Sequence, residues 1–473
     1  MKKTPDYVKN AASVVPSERQ IKWQQTEFYA FVHFGMNTFT DSEWGSGNES
    51  PSLFNPSKLD CRQWAKLFML SGMKAMILTA KHHDGFCLWP SEYTDHSVKS
   101  SPWRNGRGDV VADCAAACKE FGLKFGIYVS PWDRHEESYG SGKDYDDYFV
   151  NQLTELCSDY GELFCVWFDG ACGEGKDGKK QNYDWLRYYD VIRSLQPNAT
   201  INICGPDVRW CGNEVGVCRK SEWSVVPYYY SDFELIKKEN QIKSFHIPKN
   251  TSKMALDIGS RKRIKKCPEL IWYPAEVDVS VRKGWFYHES DKYSVKPLNK
   301  IMDIYYNSVG SNACLLLNVP PNKEGKISSE DTDLLLSVGA QLDIEFNENL
   351  ALGSTLTCDR CLDKEHDSQN IIDNPGDNYW HSGYDPDGST LLLDLGDEYD
   401  IDKIVLGEHI RSGQQIERFT LYVKTGNKWN KLYNGTVIGY KKIIRFKEVR
   451  ARYFKLVINK SRCFATLEKF EAY

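Results

Sequence analysis

Short apolar runs alternate with amphipathic segments from about residue 28 to residue 320 of this 473-residue chain, and this alternation constrains the fold most. Repeated strand and helix units of this kind build a parallel sheet covered by helices. The predicted strands lie at 28–35, 74–80, 124–129, 163–168, 200–203, 254–258 and 314–318. The predicted helices lie at 61–70, at 110–121 after the N-cap Asp109, at 190–195 and at 329–338. An α/β fold with a (β/α)8-like barrel is the economical interpretation.

The pattern changes from about residue 351 onward, where short alternating strands are separated by turns. These predicted strands lie at 391–395, 401–406, 419–423, 442–446 and 453–458. Such a pattern indicates an antiparallel β-sandwich. We therefore predict a barrel-like domain at 1–345 and an all-β domain at 346–473, packed closely because no low-complexity linker separates them.

Composition narrows the classes of partner. The net charge is −5 and no basic block is present, so nucleic acid is not an expected partner. No apolar run reaches the roughly twenty residues of a membrane span, and the polar start predicts a cytoplasmic protein as the sequence is written. A periplasmic or secreted protein is the alternative if a leader has been removed. The 15 cysteines lie mostly at apolar positions, which favours reduced thiols.

A single carboxylate stands at the end of one predicted buried strand. Residues 163–168 are apolar and are followed by Asp169 and Gly170. Catalytic groups of parallel barrels project from the C-terminal ends of strands, so Asp169 is a candidate nucleophile or base. An isolated aspartate at such a boundary more often starts a turn or caps a helix. Other residues must therefore decide between the two interpretations.

Several polar and aromatic side chains also end predicted strands and are expected on the same face of the barrel: His33, His82, His83, Tyr128 and Trp167. Imidazole, phenol and indole groups suit the recognition of sugar hydroxyls beside flat apolar faces. A metal site is the rival interpretation, because His82, His83, Asp84 and Cys87 are all metal-ligand types. Adjacent histidines at a strand end are expected to point to opposite sides, which makes joint ligation awkward.

A second carboxylate follows the predicted strand 200–203. Glu214 lies in a predicted glycine-rich loop at 205–216, near Arg209 and Trp210. A lone glutamate in a loop is usually solvated surface. Paired with Asp169, it would supply one carboxylate to attack an anomeric carbon and one acid to protonate the departing oxygen. Retention of configuration requires the two groups roughly 5–5.5 Å apart.

Four motifs, taken together and in order, resemble the α-L-fucosidases of glycoside hydrolase family 29. They lie at 31–39 (FVHFGMNTF), 81–86 (KHHDGF), 166–170 (VWFDG) and 316–321 (LLNVPP). The segment 209–214 (RWCGNE) further resembles the subgroup that cleaves α-1,3 and α-1,4 fucosyl branches of Lewis-type glycans.

The resemblance implies a role for each candidate residue. Asp169 matches the nucleophile and Glu214 the acid/base. The residues implied in binding fucose or shaping its pocket are His33, Glu43, Trp44, His82, His83, Tyr128, Trp167, Arg209 and Trp285. Trp285 is expected against the C6 methyl group, with core packing as the alternative. No cofactor is implied for hydrolysis, and fucosylated oligosaccharides or glycans are the implied partners.

The C-terminal region resembles the discoidin-like, F5/8 type C family of carbohydrate-binding domains. The matching segments lie at 371–374, 378–380, 393–396 and 453–456. Asp373 with neighbouring carbonyls is a candidate structural calcium site, a common feature of these domains. Cys358 and Cys361 have zinc-like spacing, but without a second pair a metal is not expected there.

The sequence therefore predicts a retaining exo-α-L-fucosidase acting on α-1,3/1,4-linked fucose. Broad linkage specificity is the first alternative. The rivals from other classes are a metal-dependent hydrolase using His82, His83 and Asp84, and a carbohydrate-binding protein with a degenerate barrel.

Overall fold

The computed structural model describes residues 4–231, 257–267, 269–373, 378–384 and 387–473. Within these ranges none of the helices is both long and apolar enough to cross a membrane.

The described part of the first 345 residues contains both helices and strands, and strands dominate the rest. The helices are α1 (Asp6–Ala12), α2 (Glu18–Gln24), α3 (Met36–Thr40), α4 (Cys61–Leu70), α5 (Val110–Glu120), α6 (Lys143–Asp159), α7 (Trp185–Leu195), α8 (Arg261–Ile264), α9 (Leu298–Ser308), α10 (Ser329–Glu345) and α11 (Gln369–Asp373). The strands are β1 (Phe28–Val32), β2 (Ala75–Lys81), β3 (Lys124–Val129), β4 (Cys165–Phe168), β5 (Thr200–Ile203), β6 (Arg209–Trp210), β7 (Val225–Pro227), β8 (Leu270–Trp272), β9 (Ala275–Ser280), β10 (Ala313–Asn318), β11 (Thr355–Cys358), β12 (Trp380–His381), β13 (Ser389–Gly407), β14 (Ile416–Thr425), β15 (Lys428–Gly435), β16 (Lys442–Ser461), β17 (Thr466–Leu467) and β18 (Lys469–Ala472).

Eight parallel strands form a nearly closed barrel, which confirms the predicted (β/α)8-like fold. Their order is β5, β4, β3, β2, β1, β10, β9, β6. A single parallel bridge between Asn202 and Val208 links the two ends of this order. Strands β1, β2 and β4 are buried along their whole length, as expected when helices cover one face and the barrel interior the other.

Aspartates begin several of the covering helices. Asp60 accepts a hydrogen bond from the Gln63 amide at the start of α4, and Asp109 accepts one from the Ala112 amide at 2.8 Å, which confirms the predicted cap of α5. Each such cap stabilises a helix by about 1 kcal/mol. Apolar faces of these helices then pack on the barrel; Trp64 and Phe68 of α4 are fully buried.

The structure corrects the predictions for the second half of the barrel. Arg209 and Trp210, predicted in a loop, form strand β6. Strand β9 was not predicted, because its apolar residues alternate with acidic ones instead of forming a continuous run. The predicted strand 254–258 lies outside the described residues at 254–256, and its last two residues are not in a strand.

The C-terminal region is an antiparallel β-sheet domain, as predicted, but two pairs of predicted strands are each joined into one long strand. The predicted segments 391–395 and 401–406 are parts of β13, and 442–446 and 453–458 are parts of β16. These two strands pair with register shifts after Asp394 and after Ile401. Irregularities of this kind let one strand bend while it stays paired, so the polar interruptions in the sequence are not turns.

Buried polar contacts join the two regions. Lys441 donates to Glu27 at 2.8 Å. Burial alone would raise the pKa of Glu27, but the charges of Lys441 and of the nearby Lys74 and Lys469 outweigh it and lower that pKa to about 2. Arg462 is fully buried and donates to the carbonyl of Ala11 at 3.1 Å and to that of Gly259 at 3.0 Å. The all-β region is therefore anchored to the barrel by groups that would be unsatisfied without it.

Candidate active site

Asp169 directly follows β4, and its two carboxylate oxygens have separate surroundings. Oδ1 accepts a hydrogen bond from the amide of Ala171 at 2.7 Å. Oδ2 accepts one from the Tyr128 hydroxyl at 3.0 Å and lies 3.7 Å from Nε2 of His83. The side chain is 26% exposed, so an open approach to it remains. The group is thus fixed in orientation and still accessible to a substrate atom.

Trp167 packs against Tyr128, the residue whose hydroxyl contacts this carboxylate. Its ring stacks on Tyr128 at 5.2 Å between centroids, and its Nε1 donates to Glu276 at 2.6 Å. Glu276 is completely buried in the barrel and also accepts from Asn202 at 2.8 Å and from the Tyr29 hydroxyl. Burial raises the pKa of Glu276. The Glu276 carboxyl therefore fixes the position of the Trp167 indole.

His33 and His82 present complementary nitrogen atoms. Nδ1 of His33 donates to the side-chain oxygen of Asn318 at 2.8 Å, and the amide of Asn37 donates to Nδ1 of His82 at 3.2 Å. Burial lowers the pKa of His33 to about 3 and that of His82 well below its ordinary value, so both rings are neutral. In a neutral ring one nitrogen donates and the other accepts. Nε2 is therefore an acceptor on His33 and a donor on His82.

His83 completes the histidine group. Its Nδ1 lies 2.7 Å from the hydroxyl of Ser130, whose own hydrogen is donated to the carbonyl of Trp132. Nδ1 of His83 must therefore carry a proton, and Nε2 is the ring nitrogen that faces Asp169. Burial lowers the pKa of His83, although the neighbouring Asp169 opposes that shift.

The prediction that His82 and His83 point to opposite sides is wrong: their ring centroids lie 4.2 Å apart. Strand β2 ends at Lys81, so both residues belong to the following turn, where the alternation of a strand no longer applies. Even so, in the part of the chain that the structure describes, their ligand atoms do not assemble with Asp84 or Cys87 into a group of three.

Glu43 holds the segment that carries Trp285. Its carboxylate accepts from the backbone amides of Trp285 at 2.8 Å and Phe286 at 3.3 Å, and it contacts Nε2 of His288 at 2.6 Å. The Trp285 ring lies 5.1 Å from His33. The Glu43 carboxylate is thus held by contacts with other protein groups.

Trp44, which is 57% exposed, makes edge-type ring contacts with His83 and Trp132.

The His288 contact should make stability depend on pH. Burial alone would lower the pKa of His288, but Glu43 and Asp41 together raise it above the ordinary value. A raised pKa in the folded state stabilises below the unfolded-state pKa, and this stabilisation is lost as the pH rises through the folded-state pKa. We expect the difference in unfolding free energy between the wild type and His288→Gln to shrink as the pH rises from about 6 to about 9. Urea titrations at several pH values measure this difference, and a difference that is constant with pH would contradict the assignment.

Glu214 is half-buried and follows β6 in a turn fixed by Asn213. The side chain of Asn213 accepts from the amide of Val215 at 3.1 Å and donates to the carbonyl of Val217 at 2.8 Å. Burial and then the charge of Glu214 raise the pKa of Asp278 well above its ordinary value, and Asp278 accepts from Nε1 of Trp210 at 2.7 Å. Glu214, in the turn after β6, therefore lies near a second acidic group, Asp278, on the neighbouring strand β9.

Arg209 is buried and contacts other protein groups. It is 5% exposed, donates to the carbonyls of Tyr273 at 2.9 Å and Trp223 at 3.0 Å, and forms an ion pair with the fully buried Glu222. Its contacts attach β6 to the segment before β7. The Arg209 guanidinium is therefore held by protein groups, and its predicted role in binding fucose stays a prediction.

Sequence reasoning missed Glu276, Asp278 and Ser130, and it named Asn37 and Asn318 only as letters of motifs. The two asparagines could have been found, because they stand in the same motifs as the histidines they orient. Glu276 and Asp278 carry no such signal, since the strand that holds them was not predicted. The calcium expectation at Asp373 stays a prediction: its carboxylate accepts from Gln369 at 2.8 Å, and residues 374–377 lie outside the described part.

A strand-end aspartate in a parallel barrel, among neutral histidines and tryptophans, defines the class of barrel glycoside hydrolases. Comparison with known proteins specifies the family. The profile of the α-L-fucosidase family matches residues 1–346, and that of the F5/8 type C domain matches 355–469. The chain belongs to the α-L-fucosidase family, glycoside hydrolase family 29, which confirms the family predicted from the motifs.

Relatives extend this result over nearly the whole chain. Alpha-L-fucosidase 1 of Arabidopsis thaliana is 42% identical over 95% of this chain and 85% of its own length. A family 29 fucosidase of Ruminococcus gnavus, solved in complex with fucose, is 31% identical with a TM-score of 0.84 and covers 98% of this chain and 95% of its own. A family 29 glycoside hydrolase from an unknown rumen bacterium is 37% identical with a TM-score of 0.79, covering 98% of this chain and 77% of its own.

Proposed function

We propose that this α-L-fucosidase works with retention of configuration and removes terminal α-1,3- or α-1,4-linked fucose from branched, Lewis-type glycans. The observation that carries the proposal is the fixed, accessible carboxylate of Asp169, with the Tyr128 hydroxyl at 3.0 Å and His83 at 3.7 Å. The fucose complex of the Ruminococcus gnavus relative supports fucose as the sugar.

The reaction proceeds in two balanced steps. In the first, an oxygen of Asp169 forms a bond to the anomeric carbon while the bond to the aglycone oxygen breaks, and Glu214 gives its proton to that oxygen. In the second, water attacks the anomeric carbon and loses a proton to Glu214. The bond between this carbon and Asp169 breaks, and free fucose is released. These steps use no cofactor. The positive charge that develops on the sugar ring is stabilised by the nearby carboxylate.

The histidines suit a sugar with three hydroxyls and one methyl group. Nε2 of His82 is a hydrogen-bond donor and Nε2 of His33 is an acceptor, so sugar hydroxyls can both accept from and donate to this group. Trp285 lies beside His33 and offers an apolar face for the methyl group. Glu43 contributes as a positioning residue, because it holds the backbone of Trp285.

A substrate panel tests the linkage preference. Fucose release would be measured on α-1,3- and α-1,4-branched trisaccharides, on an α-1,2-fucosylated oligosaccharide and on an aryl fucoside. We expect kcat/KM on the branched substrates to exceed that on the other two by at least about tenfold, or about 1.4 kcal/mol. Comparable or stronger activity on the aryl and α-1,2 compounds would show broad specificity and contradict the subgroup assignment.

Asp278 should tune the acid/base group. Two adjacent carboxyls cannot both ionise easily, so the pair holds a proton to higher pH than a lone carboxyl does. We expect Asp278→Asn to shift the basic limb of the kcat/KM profile to lower pH while the fold is retained. An unchanged pH profile with a uniformly lower rate would contradict this role and indicate a packing role for Asp278.

A further inference from the structure

Two thiols and a carboxylate meet in the C-terminal domain, far along the chain from the barrel motifs. One ligand atom each from Cys358, Cys361 and Asp367 lies within 4.8 Å of the other two, and all three residues are half-buried. Cys358 ends strand β11, Cys361 follows in the next turn, and Asp367 stands two residues before α11. The sequence showed only the thiol pair and gave no reason to expect a metal. The fold adds the third group.

The backbone around the two thiols is fixed by contacts of its own. Cys358 pairs with Leu391 of β13, and the next residue, Asp359, exchanges hydrogen bonds with Thr390 at 3.0 and 2.9 Å. The carbonyl of Arg360 accepts from Nε1 of the buried Trp380 at 3.0 Å. The turn between the cysteines is therefore held on both sides before any ligand binds.

Asp367 is held in a similar way. Its Oδ1 accepts from the amide of Gln369 at 3.0 Å, which orients the carboxylate at the start of α11. Its Oδ2 lies 3.7 Å from Sγ of Cys361. The oxygen that faces the thiols is thus not the one that caps the helix, and it can bind a ligand without disturbing the cap.

We propose that Cys358, Cys361 and Asp367 bind one thiophilic divalent cation, with Zn²⁺ as the physiological candidate. Two sulfur donors and one oxygen donor suit Zn²⁺, whereas Ca²⁺ and Mg²⁺ prefer oxygen ligands alone. Three protein ligands leave the fourth tetrahedral position to water. The ion would tie the end of β11 to the start of α11. Its role is structural, because binding free energy at such a site adds to the stability of the folded domain.

Cobalt titration of the full chain tests the site. The protein is reduced, stripped of metal and titrated with Co²⁺ under anaerobic conditions. We expect one equivalent to produce a thiolate-to-cobalt charge-transfer band that Zn²⁺ abolishes by displacement. Cys358→Ser and Cys361→Ser should each lose the band. Asp367→Asn, which retains an oxygen for the Gln369 amide, should weaken binding at least about tenfold.

A matched control is available in the same domain. Cys463 is also a half-buried thiol, so Cys463→Ser should leave the band and its stoichiometry unchanged. Hydrolysis of an aryl fucoside by the barrel reports that each variant is folded, and it should be the same in all of them. Absence of the band, its persistence in both cysteine variants, or a Cys358–Cys361 disulfide in the protein as isolated from a reducing cytoplasm would overturn the proposal.

Discussion

Asparagine in place of Asp169 is expected to lower kcat on every fucosylated substrate by at least about a thousandfold. The amide has nearly the same shape, so the contact with Tyr128 can persist, but it is a poor nucleophile and carries no charge to stabilise the sugar cation. Initial-rate kinetics on a branched trisaccharide measure the loss. Asp177→Asn is the matched control, because Asp177 is exposed on the same connecting segment and pairs with Lys179.

Azide distinguishes a nucleophile from a group that merely positions the substrate. In Asp169→Gly, azide can enter the space of the lost carboxylate and attack an aryl fucoside from that side. The product should be the β-fucosyl azide, formed with a single inversion. Recovery of near-wild-type hydrolysis without azide, or an α-configured azide, would contradict the assignment of Asp169.

Removing the acid at Glu214 should give a loss that depends on the leaving group. Glu214→Gln is expected to lower kcat/KM on glycans by about 10²–10⁴, since the sugar oxygen must be protonated as it departs. With an aryl leaving group that departs without a proton, the rate of the first step should be lowered far less. Its phenol should then appear as a burst before slow turnover, measurable by stopped-flow absorbance.

The control for this prediction is Glu174→Gln, an exposed glutamate on the segment after β4. It should leave both substrate classes unaffected. Azide added to Glu214→Ala should give the α-fucosyl azide, because it attacks the fucosyl enzyme instead of the substrate. An equal loss on glycans and on activated aryl fucosides would show that Glu214 does not act as the acid.

The first half of the barrel was predictable because its strands are buried on both faces and therefore read as continuous apolar runs. The end of such a run marks the edge of the sheet, which is why Asp169 and Tyr128 could be placed together from the sequence. The second half was not predictable in the same way. Strand β6 has only two residues. Strand β9 carries the acidic residues Glu276 and Asp278 among its apolar residues, and buried partner side chains compensate for the burial of these two groups.

Contacts between distant segments explain the remaining differences. Glu43 lies more than two hundred residues before the Trp285 backbone that it holds, and no local pattern indicates that pairing. Arg209 stands next to Trp210 in the sequence, but its guanidinium pairs with the buried Glu222, thirteen residues later. Asp367 joins the two cysteines only once β11 and α11 are in place. Sequence motifs predicted candidate residues at strand ends, whereas the side chains that hold these residues could be identified only from the fold.

Covalent trapping tests the central claim most directly. A 2-deoxy-2-fluoro-α-L-fucosyl fluoride should react because fluoride leaves readily, and the fluorine at C2 should slow release of the resulting fucosyl enzyme. Intact mass spectrometry should show one added fluorofucosyl unit, and peptide mapping should locate it on Asp169. Turnover of the reagent with no adduct, or an adduct on Glu214 or another carboxylate, would contradict the account.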